Sequence, residues 1–250
     1  DSSSSRGLGD VYKRQFKKSF EKLTESNSRE YCELEKLSKK VKVAVLISGN
    51  GTNLQALIDA CIAPDYPAEI VLVISNKANT KGIERARKAG ITTRVVDHTN
   101  YSSREEFDTE LSMTLSNSQC KLVCLAGFMR ILSESFVNTW PNSILNIHPS
   151  LLPSFPGTKT HERALEAGVK VSGCTLHFVT AELDAGPIIG QAAVPVLDND
   201  TPKTLANRVL KEEHKLYALG LELVANKILQ NKKIALHSEK STVSKSLLNF

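Results

Sequence analysis

The chain has 250 residues, 41% of them hydrophobic, and a formal net charge of +5. That size and apolar content support one good-sized core in a single domain. The positive excess sits at the two ends, while residues 41–230 carry 18 basic and 19 acidic side chains, so the basic balance argues for no nucleic-acid partner.

Residues 1–40 are expected to be a leader outside the fold, partly disordered or helical. Asp1–Gln15 is Ser- and Gly-rich without periodicity, and Phe16–Lys40 spaces a few apolar residues helically amid dense charge. Val41–Ile47 is β-branched and short and reads as a buried strand. Strand-like runs recur at Glu69–Ile74, Thr92–Val96, Lys121–Ala126, Ile144–Ile147, Gly173–Val179 and Gln191–Val196. Helical patterns fall at Leu54–Ile62, Gly82–Ala89, Ser103–Leu115, Ser133–Thr139, Thr160–Ala167 and Pro202–Leu229. Asn231–Phe250 is Lys- and Ser-rich and reads as a tail, mobile at its end. The alternation predicts an α/β protein with a mostly parallel sheet covered on both faces. The last two strands have no helix between them, which predicts an antiparallel edge. Ligands in such sheets bind outside the carboxyl ends of the strands.

Ser48-Gly49-Asn50-Gly51-Thr52-Asn53 joins the first strand to the first helix. Its glycines permit a sharp turn and a close backbone approach, and the helix N-terminus behind it favours an anion. The run lacks the Lys-Ser/Thr of an ATP-type loop and the third glycine of a dinucleotide fingerprint, so a monophosphate on a small metabolite fits better.

Asn146-Ile147-His148-Pro149-Ser150-Leu151-Leu152-Pro153 leaves a strand, and alternation puts Asn146 and His148 on one side of it. An amide beside an imidazole suits acyl chemistry, the amide N–H for a developing oxyanion and the ring for a proton. Leu152–Pro153 is the better candidate for a cis peptide. Glu182-Leu183-Asp184-Ala185-Gly186-Pro187 offers Asp184 as the imidazole's partner, since a nearby carboxylate favours the protonated ring. The same Asp-Ala-Gly-Pro also suits a plain surface turn. No Ser, Cys or Lys nucleophile stands out, and the scattered histidines have no metal-ligand spacing. The five cysteines are odd in number and form no Cys-x-x-Cys, which fits a reducing compartment without disulfides. No run approaches the ~20 apolar residues of a membrane span, and no signal-peptide core is visible, so a cytoplasmic location is expected.

Taken in chain order, Ser48–Asn53, Asn146–Pro153 and Thr180–Pro187 resemble the glycinamide ribonucleotide formyltransferases, folate-dependent transformylases of purine biosynthesis. The likeness spans about 41–230 and includes Ala126–Leu132 and the pair Glu213-His214. It implies a three-layer α/β/α, Rossmann-like formyltransferase fold. It implies 10-formyltetrahydrofolate as co-substrate, no metal, small-molecule partners, no nucleic acid or membrane, and a monomer or homodimer. The amine of the ribonucleotide would attack the formyl carbon, Asn146 supporting the oxyanion, His148 donating a proton and Asp184 assisting His148. Gly51, Thr52 and Asn53 would take the phosphate. Glu213 would bind the ribose hydroxyls, with Leu210, Lys211 and Glu212 beside it. Met129, Arg130, Ile131 and Leu132, with Thr180, Ala181, Glu182, Leu183 and Asp184, would form the pterin slot next to Asn146. Arg104 would hold the folate carboxylate bidentately. Two features depart from the pattern. Leu210 supplies no polar group to the phosphate, and the 40-residue leader has no counterpart. A formyltetrahydrofolate hydrolase is the main alternative, ahead of a tRNA formyltransferase and a non-catalytic binding module.

Overall fold

The computed structural model describes the backbone of residues 40–246 and the side chains of residues 40–231. The expected leader falls outside the described residues except for Lys40, and so does the end of the expected tail.

Among the described residues, seven strands and six α-helices follow one another as β1 (Val41–Ile47), α1 (Thr52–Cys61), β2 (Ala68–Ser75), α2 (Lys81–Lys88), β3 (Thr92–Val95), α3 (Arg104–Asn117), β4 (Leu122–Leu125), α4 (Glu134–Thr139), β5 (Ile144–His148), α5 (Thr160–Glu166), β6 (Val171–Phe178), β7 (Ile188–Pro195) and α6 (Pro202–Ser246). The sheet order is β3-β2-β1-β4-β5-β6-β7. Pairing is parallel from β3 to β5, and β6 runs antiparallel to both β5 and β7. The antiparallel edge is therefore as expected.

The alternation of β1 builds the layers. Val43, Val45 and Ile47 pack with Leu54 and Leu57 of α1, Ile83 of α2 and Leu205, Val209 and Leu221 of α6. Ala44 and Leu46 point the other way, into a cluster with Phe107, Leu111 and Leu115 of α3 and Phe136 and Val137 of α4. Successive side chains of a strand face opposite sides, so one apolar run feeds two helical layers. Buried thiols belong to this packing: burial pushes Cys124 and Cys174 up to about 12, which leaves them unreactive at neutral pH.

Element bounds lie within three residues of the sequence pattern, with β1 in full agreement, apart from α6, which continues to Ser246. No Gly or Pro after Gly220 interrupts that helix. Among the described residues, no helix is long and apolar enough to cross a membrane.

β1 lies between β2 and β4, so the chain leaves it in one direction and returns on the other side. Crevices at such a switch point, outside the carboxyl ends, are where open α/β sheets take ligands.

Candidate active site

The glycine turn sits at that switch point. Gly51 adopts a left-handed conformation, φ 66°, as N-cap of α1, with no side chain among the described residues capping the helix. Thr80, Ser103 and Ser133 cap α2, α3 and α4 with their hydroxyls. The first N–H groups of α1 therefore keep their capacity for an external acceptor. A Cβ on Gly51 would lie 2.7 Å from the Cα of Gly82 on α2, so the two elements meet glycine to glycine. Gly82 N donates to Gly49 O (3.1 Å) and Arg85 Nε to Asn50 O (3.0 Å), pinning the turn from outside. On its inner side the turn borders a pocket of about 240 Å³, lined by Ser48–Asn53, Lys77, Ala126, Gly127 and Met129.

Helix α6 reaches the turn through Glu213. Asn53 Nδ2 donates to Glu213 Oε2 at 2.7 Å, and both residues are 7% exposed. Burial raises the Glu213 carboxyl above its ordinary range, opposed by that hydrogen bond. Asn53 Oδ1 is buried and has no partner among the described residues. Of the other α6 residues named from the sequence, Glu212 pairs with Lys215 at 2.8 Å, Lys211 is exposed and Leu210 is half-buried.

The second part of the rim is formed by β5 and the loops around it. Asn146 and His148 share one side of β5, as alternation requires. His148 Nε2 lies 3.0 Å from Phe155 O, and a carbonyl can only accept, so Nε2 carries a proton. His148 Nδ1 faces Asp184 Oδ2 at 3.5 Å, with both side chains under a tenth exposed. Asp184 holds a left-handed φ of 52°, and its Oδ2 accepts from Gly157 N at 2.8 Å. That bond links the Val179–Pro187 loop to the loop after β5, where Leu152–Pro153 is cis. Arg163 reinforces the same loop by stacking 5.6 Å from the Phe155 ring centroid and donating to Pro156 O.

The proposed pterin segments present Met129, Ile131 and Leu183 to solvent at 73%, 55% and 54% exposure, while Leu132 is buried. Exposed apolar groups beside a polar cleft are the usual mark of a ligand surface. Arg104 is exposed at the first position of α3, behind the Ser103 cap.

Three contributors went unnoticed in the sequence. Lys77 borders the glycine-turn pocket and Gly82 abuts the turn, but both follow β2, one strand away. His177 lies opposite Asn146 across the β5–β6 ladder, and its only sequence signal was its position in an apolar strand.

The profile of the formyl transferase family matches residues 41–221. The chain belongs to the formyl transferase family. It is 56% identical over 193 residues to the trifunctional purine biosynthetic protein adenosine-3 of Gallus gallus, covering 77% of this chain and 19% of that one. It thus spans about a fifth of that relative's length. With the phosphoribosylglycinamide formyltransferase of Escherichia coli (strain K12) it shares 47% identity over 186 residues, 74% of this chain and 88% of the other. Among solved structures, glycinamide ribonucleotide transformylase 1 from Symbiobacterium toebii superposes with a TM-score of 0.74 at 50% identity, covering 76% of this chain and 89% of that one.

Proposed function

We propose that this formyl transferase moves the formyl group of 10-formyltetrahydrofolate onto the amine of 5'-phosphoribosylglycinamide, in the cytoplasm, by direct attack through a tetrahedral intermediate. The carrying observation is the placement of two complementary half-sites on one rim. The glycine-turn pocket ends β1, and Asn146 with the His148–Asp184 pair ends β5. Only β4 separates the two strands, a distance of about 10 Å at normal strand spacing.

In this reading the α1 amides and the turn take the substrate phosphate, and Glu213 accepts from the ribose hydroxyls. The substrate amine forms a bond to the formyl carbon while the carbonyl electrons move onto oxygen, where the Asn146 amide donates to the oxyanion. Collapse breaks the bond to the folate nitrogen, which receives a proton from His148, and the proton lost by the new amide nitrogen returns to His148. The donated proton is the one on His148 Nε2, which exchanges the Phe155 carbonyl for the leaving nitrogen. Asp184 stays at Nδ1 and balances the ring charge. The exposed Met129, Ile131 and Leu183 side chains cover the pterin, and Arg104 takes a folate carboxylate.

Deformylation of 10-formyl-5,8-dideazafolate, followed by absorbance with and without the ribonucleotide, tests the reading. Turnover is expected only with the ribonucleotide present, whereas turnover in water alone would indicate a hydrolase. His148→Ala and Asp184→Asn should each lower kcat at least ~100-fold, the usual scale of general acid–base assistance. Near-normal rates in both would remove the pair from the mechanism.

A further inference from the structure

His177 is 2% exposed and lies beside the transfer site, yet the steps above give it no part. Its surroundings fix its protonation state atom by atom. Nδ1 is 2.9 Å from Phe178 O, and a carbonyl can only accept, so Nδ1 carries a proton. Nε2 is 3.1 Å from Asn146 Nδ2, an atom that can only donate, so Nε2 carries none. Both contacts are satisfied together by one species, the neutral ring protonated at Nδ1. Burial, the largest influence on this ring, lowers its affinity for a second proton. Asp184 Oδ1, 3.8 Å from Nε2, pulls the other way, and His148 adds to the lowering.

The backbone holds this arrangement from two directions. Asn146 and His177 are directly paired residues of the antiparallel β5–β6 ladder, which puts both side chains on one face. The β6–β7 register shifts between Leu176 and His177, and such irregularities re-aim side chains next to active sites. A Cβ at Gly186 would overlap the Phe178 carbonyl oxygen, so Gly186 keeps room for the acceptor that sets the tautomer.

We infer that His177 is a positioning residue. Its unprotonated Nε2 holds the Asn146 carboxamide with the NH2 group turned toward β6, so that one N–H is anchored and the other remains for the developing oxyanion. With that anchor lost, the amide can rotate and present Oδ1, which would repel the oxyanion. The inference rests on the transfer reading for its catalytic consequence, but the tautomer is a property of the protein alone.

Nitrogen-resolved NMR of the histidine rings in the whole, ligand-free protein at pH 7.5 should find His177 neutral with the proton on Nδ1. A ring protonated at Nε2, whether neutral or charged, would overturn the inference, regardless of which acceptor takes the formyl group. Kinetics then test the consequence. His177→Met should reduce kcat about 100-fold with KM for both substrates nearly unchanged, the scale of a lost oxyanion donor. His177→Gln, whose carbonyl oxygen can accept where Nε2 did, should recover roughly a tenth or more of the rate. In an Asn146→Ala background, His177→Met should change kcat less than about 2-fold, because the anchor has nothing left to hold. A full additional loss in that background would assign His177 a role independent of Asn146 and defeat the inference. Absence of ribonucleotide-dependent turnover in the unsubstituted protein would instead defeat the transfer reading and leave the NMR result to decide this one.

Discussion

Glu213 combines a buried carboxyl with a hydrogen bond from Asn53. Its proton affinity is raised by burial, so the folded chain holds that proton to a higher pH than the unfolded chain does. Stability therefore declines as pH climbs from the ordinary glutamate range through the raised value, and levels off above it. Glu213→Gln removes the charge and keeps an acceptor for Asn53. The variant should gain about 1 kcal/mol at pH 8, a Tm increase of ~2–4 °C, and much less near pH 4. Its KM for the ribonucleotide should rise about 10-fold, since a neutral amide is a weaker acceptor than a carboxylate for hydroxyls. Calorimetry at the two pH values checks the first part, and equal Tm shifts would show that charge is not the cause. At this scale, what the sequence revealed depended on sequence distance. Asn146 and His148 stand two apart on one strand, so strand periodicity alone places them together. Asp184 was visible as a turn residue, and its contact with His148 depends on two loops closing over each other. His177 was not legible, because strand register across a hairpin-like pair of this separation has no local signal.

Among elements, the contact between the glycine turn and α2 is the least tolerant. Gly82 meets Ile47 Cδ1, Gly49 O and Gly51 Cα, so a methyl group there has nowhere to go without moving the turn. Gly82→Ala improves the intrinsic helix preference of α2 by up to about 1 kcal/mol, which opposes the steric cost. The expected outcome is a Tm near that of the unsubstituted chain, with KM for the ribonucleotide up about 10-fold and kcat little changed. Steady-state kinetics beside a thermal melt separates the two effects, and an unchanged KM would mean that the turn does not hold the phosphate. The type and order of the elements were readable because apolar runs of four to eight residues alternate with helical periodicity throughout 41–230. Their ends were less so. β7 begins at Ile188, directly after Gly186-Pro187, where Gly190 interrupts the apolar alternation. Helix α1 begins at Thr52, ahead of its first leucine, because a left-handed Gly51 lets the helix start within the turn.

At the scale of the whole described fold, α6 joins structure to site. Tyr217, one turn after Glu213, is fully buried, and its hydroxyl lies 3.2 Å from Leu125 O and 3.1 Å from Leu145 O. Leu125 is the last residue of β4, the strand that leads to Met129, and Leu145 directly precedes Asn146 within β5. One helix thus touches the turn after β1, the end of β4 and the residue before Asn146 in β5, which keeps the half-sites in a fixed relation. Among the described residues, one core cluster runs from Val41 to Leu229 and the other from Ala44 to Val179, and the family match covers 41–221. We therefore propose that residues 41–230 are the cooperative catalytic unit, with the preceding and following segments dispensable for folding. A chain trimmed to Val41–Gln230 should unfold in one transition within about 3 °C of the full-length Tm, since losing ~1 kcal/mol would already move it that far. Its kcat/KM with the ribonucleotide should stay within about 2-fold, a change of under ~0.5 kcal/mol in transition-state binding. A larger drop in Tm on trimming the N-terminal side would mean that residues 1–40 contribute to the fold. The same drop on trimming after 230 would assign that contribution to the end of α6.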